Sequence, residues 1–154
     1  MDWERKRRIN RLLIVLLLLT LCFIWGNSLL GPARSTGMSR AVLRSQRPLL
    51  SLFGLNIYDD TWLRKAAHFG EFGLLGAELM LLFALNAGRS LQSFCNGAGA
   101  SLLVAVSDES LQILTGRYAR VEDILLDFSG ALAGLLLALL ALRLRKRRRE
   151  KTGR

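Results

Sequence analysis

Residues able to do chemistry lie within segments of this chain that are otherwise apolar. His68 and Glu71 stand three residues apart, a spacing that places both side chains on one face of a helix. Further along, Asp108 and Glu109 are followed by Gln112, one helical turn after Asp108. Ionisable groups within membrane segments are costly, so they usually face a protein interior and mark function. The spacing therefore predicts a functional site.

A third polar group opens the last apolar segment, where Asp123 and Asp127 are four residues apart. The turn before this segment offers Arg117 and Arg120, and one or both can balance the carboxylates. Lys65 adds a cation one turn before the histidine on the earlier segment. We expect the three groups to converge in one half of a helical bundle.

Two kinds of chemistry suit these groups. Carboxylates around a histidine can bind a divalent cation or act as general acid and base. The catalytic candidates are His68, Glu71, Asp108 and Glu109. Alternatively, the cations can bind an anionic headgroup, and the acids can hold those cations in position. The ligand-binding candidates are Lys65, Gln112, Arg117, Asp123 and Asp127. A network of interhelical ion pairs without a ligand is a third alternative.

Four segments are long enough to carry these residues across a hydrocarbon core, which takes about 20 mostly apolar residues. The predicted spans are Leu12 to about Leu30, Ala66 to Ala87, Leu91 to about Leu114, and about Ile124 to Leu142. The sequence thus predicts an all-α membrane protein with four transmembrane helices. Its membrane domain covers residues 12–142, between basic tails at residues 1–11 and 143–154.

The basic residues predict the orientation of these helices, because basic flanks mark the cytoplasmic side. An even number of spans puts both termini in the cytoplasm and the long first loop outside. This layout leaves 14 of the 22 Lys and Arg residues inside and 8 outside. A basic stretch before an apolar core also resembles a secretory signal peptide, but no small-x-small cleavage site lies next to Trp25. An uncleaved first helix is therefore favoured.

The net charge of +10 would also suit a nucleic-acid-binding protein. Such a protein would spread its basic residues over an amphipathic fold, whereas here they form blocks beside apolar helices. Blocks of this kind attract anionic lipid headgroups, so we expect membrane lipids and not nucleic acid as partners. In the long loop, Arg40, Arg44 and Arg47 have helical spacing and precede an apolar stretch, which predicts a segment lying in the membrane interface.

Small residues on the fourth span form one stripe, made of Gly130, Gly134, Ala138 and Ala141. Such a stripe allows a neighbouring helix to approach closely. It also turns Asp123 and Asp127 toward the other helices instead of toward lipid.

Several of these residues belong to an ordered series of short motifs. The series reads Arg64-Lys65-x-x-His68-Phe69-x-Glu71-Phe72, Leu75-Gly76, Asp108-Glu109-x-x-Gln112, Gly116-Arg117, Asp123, Asp127 and Gly130. In this order and spacing the chain resembles the VanZ-like family of small bacterial membrane proteins, from roughly Trp25 to Gly134. The Asn27-Ser28 pair is similar to the serine-rich stretch of that family. Two departures, Phe72 for a tyrosine and Thr115 for a proline, leave the charged set intact.

The resemblance implies a multi-pass protein of the bacterial plasma membrane and, for the founding member, lowered susceptibility to teicoplanin. We expect an envelope protein that binds a lipid-linked or anionic headgroup near the outer leaflet and influences glycopeptide susceptibility. The alternative is a membrane-embedded hydrolase or transferase, with or without a divalent cation, acting on an envelope lipid. In a third hypothesis, a small transporter, the deep Glu78 would line a path, although four short spans without a broken-helix repeat argue against it.

Overall fold

The protein is a bundle of four α-helices in a computed structural model that describes residues 3–29, 60–88 and 91–153. In chain order the helices are α1 (Trp3–Leu29), α2 (Asp60–Ala87), α3 (Leu91–Leu114) and α4 (Val121–Lys151). No strand occurs in these ranges, which confirms the all-α prediction. The first and last helices, α1 and α4, extend into the two basic tails. The interfacial segment predicted in the long loop lies outside the described residues.

Three helices in the described part of the chain are long and apolar enough to cross a membrane: Trp3–Leu29, Arg64–Ala87 and Val121–Arg148. The fourth predicted span, α3, is not among them because its polar residues lower its hydropathy. Those polar residues mostly point inward: Ser93, Ser101, Asp108, Glu109 and Gln112 are buried. Outward-facing positions of α3 include Leu103 and Ile113, which are 73% and 56% exposed. α3 therefore hides a polar face inside the bundle.

One face of α1 packs against α2 and α3. Its buried residues Thr20, Ile24 and Ser28 recur every four positions, so they lie in a single row along the helix. α1 runs antiparallel to α2, as hydrogen bonds near both ends show. Asn86 donates to Asn10 at 2.8 Å near one end, and Asn27 donates to Glu71 at 3.4 Å near the other.

α2 and α4 run parallel and form the closest helix pair in the bundle. A Cβ atom on Gly130 would collide with the carbonyl oxygen of Phe69, and one on Gly134 would collide with that of Gly73. These close contacts confirm the predicted role of the small-residue stripe of α4 at Gly130 and Gly134. Only glycine lets the two backbones approach this closely, and the approach sets the register between α2 and α4.

The turn after α3 has a defined geometry. Gly116 adopts a left-handed conformation with φ of 79°. Its N–H donates to the carbonyl of Ile113, and the N–H of Arg117 donates to that of Gln112, both at 3.1 Å. These two bonds form a Schellman motif, which ends the helix and fixes the direction of the next residues. Thr115 also donates its hydroxyl to the carbonyl of Ser28 at 3.2 Å, tying α3 to the end of α1.

The ends of the bundle differ in character. The C-terminal ends of α1 and α3 meet the N-terminal ends of α2 and α4, and the candidate residues lie there. We call this the polar end. Between it and the opposite, basic end lies an apolar core of Ile24, Phe72, Leu75, Leu79, Ala105 and Ala131. The fold thus gathers residues from all four helices at one end.

Candidate functional site

The register between α2 and α4 brings His68 against Asp127. The His68 Nδ1 and Asp127 Oδ1 atoms are 3.4 Å apart, with the two side chains 20% and 1% exposed. No residue in the described part of the chain donates a hydrogen bond to either Asp127 carboxylate oxygen. The pair therefore joins a half-buried imidazole to a buried and under-bonded carboxylate.

Asp108 of α3 lies next to this pair and is fully buried. Its Oδ1 accepts a 2.5 Å hydrogen bond from the Ser28 hydroxyl, and its Oδ2 accepts a 3.1 Å bond from the Gln112 amide. The second bond confirms that Asp108 and Gln112 share a helix face. One ligand atom from each of His68, Asp108 and Asp127 falls within 4.8 Å of the other two. Three helices thus supply this cluster, and α1 orients it through Ser28.

The adjacent Glu109 has a different environment. It is buried, and its Oε2 accepts the backbone N–H of Arg120 at 3.1 Å. Arg120 is the N-cap residue of α4 and makes no side-chain capping bond. A carboxylate at a helix N-terminus is favourable because the unpaired N–H groups there carry partial positive charge. Glu109 therefore fixes the start of α4 as well as facing the site.

Arg117 leaves the Schellman turn toward the same region, and its guanidinium donates to the Gln112 side-chain oxygen at 3.5 Å. Burial lowers the pKa of Arg117, as does the nearby Arg64, while Asp108 and Glu109 oppose that effect. An arginine begins from so high a pKa that it stays cationic at neutral pH. Gln112 consequently connects a buried carboxylate to a permanent cation.

A cavity of about 330 Å³ opens at the polar end, between α2, α3, the turn and α4. Its lining residues are Arg64, Lys65, His68, Glu109, Gln112, Gly116, Arg117, Tyr118, Arg120, Asp123, Leu126 and Asp127. Four of these are lysine or arginine. The volume lies at the lower end of the range for small-molecule sites, about 300–1,000 Å³.

The structure gathers most of the candidate residues around this cavity. Seven of the nine line it. Asp108 lies outside the lining but within reach of His68 and Asp127. Glu71 is also outside the lining, and its carboxylate accepts a 3.4 Å bond from Asn27. The catalytic and binding roles assigned to these nine residues remain predictions.

Other residues at the cavity were not among the candidates. Arg64, Tyr118 and Arg120 line it, and Ser28 orients Asp108 from outside. Arg64 could have been found from its position beside Lys65, and the sequence indicated Arg120 only as a second cation able to balance the carboxylates. Only the family resemblance drew attention to Ser28, since a serine near a helix end carries no signal of its own.

A family model described as VanZ/LLP1 matches residues 13–142. Neither curated proteins nor solved structures give a match. The matched range contains every candidate residue and most of all four helices.

Proposed function

This chain belongs to the VanZ/LLP1 family, and from that premise we propose that it is a bacterial envelope protein that binds an anionic or lipid-linked headgroup in the cavity. The observation that carries the proposal is the set of four cations at the cavity: Arg64, Lys65, Arg117 and Arg120. A ligand with phosphate oxygens would match this set, because guanidinium groups recognise phosphate through paired hydrogen bonds.

The charge balance of the cavity supports an anionic ligand. Within the described ranges, the side chains of Arg64, Lys65 and Arg120 form no salt bridge. Of the acids, Asp127 faces His68 and Glu109 accepts the backbone N–H of Arg120. Four cations against three acids (Glu109, Asp123 and Asp127) leave an excess of positive charge at the cavity, so Arg64, Lys65 and Arg120 retain capacity for an external anion. The cavity volume of about 330 Å³ accommodates a headgroup and leaves an acyl or prenyl chain outside, against the apolar helix surfaces.

We also propose that all four helices span the membrane, with both termini in the cytoplasm. The inward-facing polar row of α3 supports a fourth span despite its lower hydropathy. The basic residues at the N-terminus of α1 and the C-terminus of α4 support the orientation. In this topology the cavity opens near the outer leaflet. A lipid-linked envelope precursor carries the required anionic group there, and its capture would influence susceptibility to glycopeptides such as teicoplanin.

The test is to identify what copurifies with the protein. Wild type, Arg117→Gln and the control Arg143→Gln are purified in membrane nanodiscs, and the retained lipids are quantified by mass spectrometry. Arg143 is exposed at the basic end, so the control removes the same charge far from the cavity. We expect one phosphate-bearing lipid enriched with wild type and Arg143→Gln and lost with Arg117→Gln. Equal lipid profiles for all three proteins would rule out headgroup binding in this cavity.

A second candidate function is a hydrolase or transferase acting on such a lipid. The specific observation in its favour is the His68–Asp127 pair in the cavity wall, since a carboxylate that orients an imidazole is a common general-base arrangement. Wild type is incubated with the copurified lipid, and the products are followed by mass spectrometry. If the protein is an enzyme, Asp127→Asn should retain the lipid but stop its conversion. An unchanged lipid after incubation with wild type would leave binding as the function.

A further inference from the structure

We infer that His68, Asp108 and Asp127 form a binding site for one divalent cation of the zinc or manganese type. Their three ligand atoms lie within 4.8 Å of one another and come from α2, α3 and α4. Around one ion in tetrahedral coordination, two ligand atoms that each lie about 2.1 Å from the ion are about 3.4 Å apart. The separations would therefore have to shorten by up to about 1.4 Å, which side-chain rotation can supply.

Asp127 provides an independent observation that points to a bound group at this cluster. Its side chain is 1% exposed, yet neither of its oxygens accepts a hydrogen bond from any described residue. A buried ionised carboxylate without such partners is strongly unfavourable. The neighbouring imidazole at 3.4 Å reaches only one of the two oxygens. A cation coordinated by Asp127 would remove this deficit.

Asp108 is held in the way that metal-binding carboxylates usually are. One of its oxygens accepts from Ser28 and the other from Gln112. Bonds of this kind fix the direction of a ligating carboxylate, and each oxygen keeps a second lone pair for the ion. The hydroxyl of Ser28 and the amide of Gln112 thus orient a ligand without coordinating the metal themselves.

The charge of the cluster matches a divalent ion. A neutral imidazole and two carboxylates carry a total charge of −2, which one divalent cation balances. If His68 is protonated instead, one negative charge remains in the buried cluster, and Asp127 Oδ2 remains without a partner. Both states bring His68 and Asp127 together, so only a measurement of bound metal separates them.

The ligand types identify the class of metal. Nitrogen from imidazole together with carboxylate oxygen suits zinc and manganese, whereas calcium and magnesium prefer sites built of oxygen alone. Three protein ligands leave at least one coordination position, as in catalytic zinc sites. His68 and Asp127 line the cavity, so the open position would face it and accept an oxygen of the anionic headgroup. This last step rests on the proposed function, whereas the metal site itself does not.

The experiment measures metal binding with the metal alone. Full-length protein in detergent is stripped with EDTA, dialysed against Zn²⁺ or Mn²⁺, and analysed by mass spectrometry for bound metal. We expect about one ion per wild-type chain and affinity reduced at least about tenfold in Asp127→Asn and Asp108→Asn. The matched control is Glu122→Gln, which removes a negative charge from the first turn of α4 at an exposed position outside the cavity lining.

Folding is monitored in the same samples through the melting temperature, which added metal should raise in wild type and Glu122→Gln but not in Asp127→Asn. If Asp127→Asn does not fold, His68→Gln takes its place. The inference is overturned if wild type takes up no stoichiometric metal, or if Asp127→Asn binds as much as wild type. The headgroup proposal is tested separately, by measuring whether EDTA-stripped wild type retains the lipid. If the protein retains the lipid but takes up no metal, only the metal site is overturned. If Arg117→Gln loses the lipid but still binds metal, both proposals are supported.

Discussion

The polar end and the middle of the bundle both contain buried carboxylates, but the surroundings of these carboxylates differ. At the polar end, Asp108 and Asp127 share a cluster with His68 beside a cavity rich in cations. In the middle, Glu78 is 6% exposed and accepts one 3.1 Å hydrogen bond, from Thr20. Its second oxygen has no hydrogen-bond partner among the described residues. A buried acid is therefore not by itself a site, and its neighbours decide what it can do.

The Thr20–Glu78 contact links α1 to α2 and has a simple structural interpretation. Interhelical hydrogen bonds in membranes contribute about 0.6 kcal/mol on average, enough to favour one register without requiring a ligand. Glu78 is absent from the cavity lining, unlike the acids Glu109, Asp123 and Asp127.

The largest difference is expected when each carboxylate is removed. Asp108→Ala leaves the Ser28 hydroxyl and Gln112 amide without their shared acceptor, which should lower the free energy of unfolding by about 3 kcal/mol. Glu78→Ala strands one hydroxyl, which can turn to a backbone carbonyl, and should cost about 1 kcal/mol or less. Reversible unfolding in mixed detergent micelles measures both. Equal losses would remove the distinction between the regions.

Deleting one hydroxyl donor from each region makes a finer comparison. Ser28→Ala removes a 2.5 Å bond to Asp108, and a bond to a charged acceptor is worth about 1.5–3 kcal/mol. Thr20→Val removes the bond to Glu78 with little change in shape and should cost about 0.6 kcal/mol. The same unfolding assay applies. A larger loss for Thr20→Val would show that Glu78, not Asp108, is the more tightly held acid.

Glu71 stands between the two regions and tests where the site ends. It lies one turn from His68 but outside the cavity lining, held by a long bond from Asn27. We expect Glu71→Gln to weaken lipid retention about threefold, since loss of one distant charge amounts to less than about 1 kcal/mol. Binding of the copurified lipid by the reconstituted protein measures this. Complete loss would extend the site to Glu71 and support its predicted catalytic role.

The smallest effect is expected for Glu78→Gln. The amide preserves an acceptor for Thr20, so both the equilibrium constant of unfolding and the amount of lipid retained should stay within about twofold of wild type. The lipid assay and the unfolding assay are run together on this variant. If Glu78→Gln instead abolishes lipid retention, as is expected of Arg117→Gln, Glu78 belongs to a continuous path, and the transport hypothesis regains support.

The sequence predicted the helices closely because apolar length and small-residue stripes are local signals. α3 begins and ends at the predicted Leu91 and Leu114. The stripe of Gly130 and Gly134 correctly indicated a close helix contact. α3 is not among the helices that are apolar enough to cross a membrane, because mean hydropathy sums residues without regard to the face they occupy. Burial shows that five of the polar residues of α3, including Asp108, Glu109 and Gln112, face the neighbouring helices.

The different partner of each buried acid could not be predicted from the sequence. Asp108 and Glu109 are adjacent, and consecutive helix residues point about 100° apart. Only the packing of α1 and α4 around α3 decides that Asp108 meets Ser28 while Glu109 meets the backbone of Arg120. Glu71 shares a helix face with His68, yet the register of α1 gives it Asn27 as its partner. Spacing along one helix cannot specify the neighbours that other helices bring.

The sequence by itself determined that this chain forms apolar helices, that its cations lie in blocks, and that chemically able residues belong to three of the helices. Each of these follows from residue type and local periodicity, which any segment carries alone. Tertiary structure decided which of those residues form a cluster, which of them face a cavity, and which serve to hold a helix in place. The reason is geometric: a contact between helices depends on their register and rotation, and both are set by packing such as that of Gly134 against Gly73.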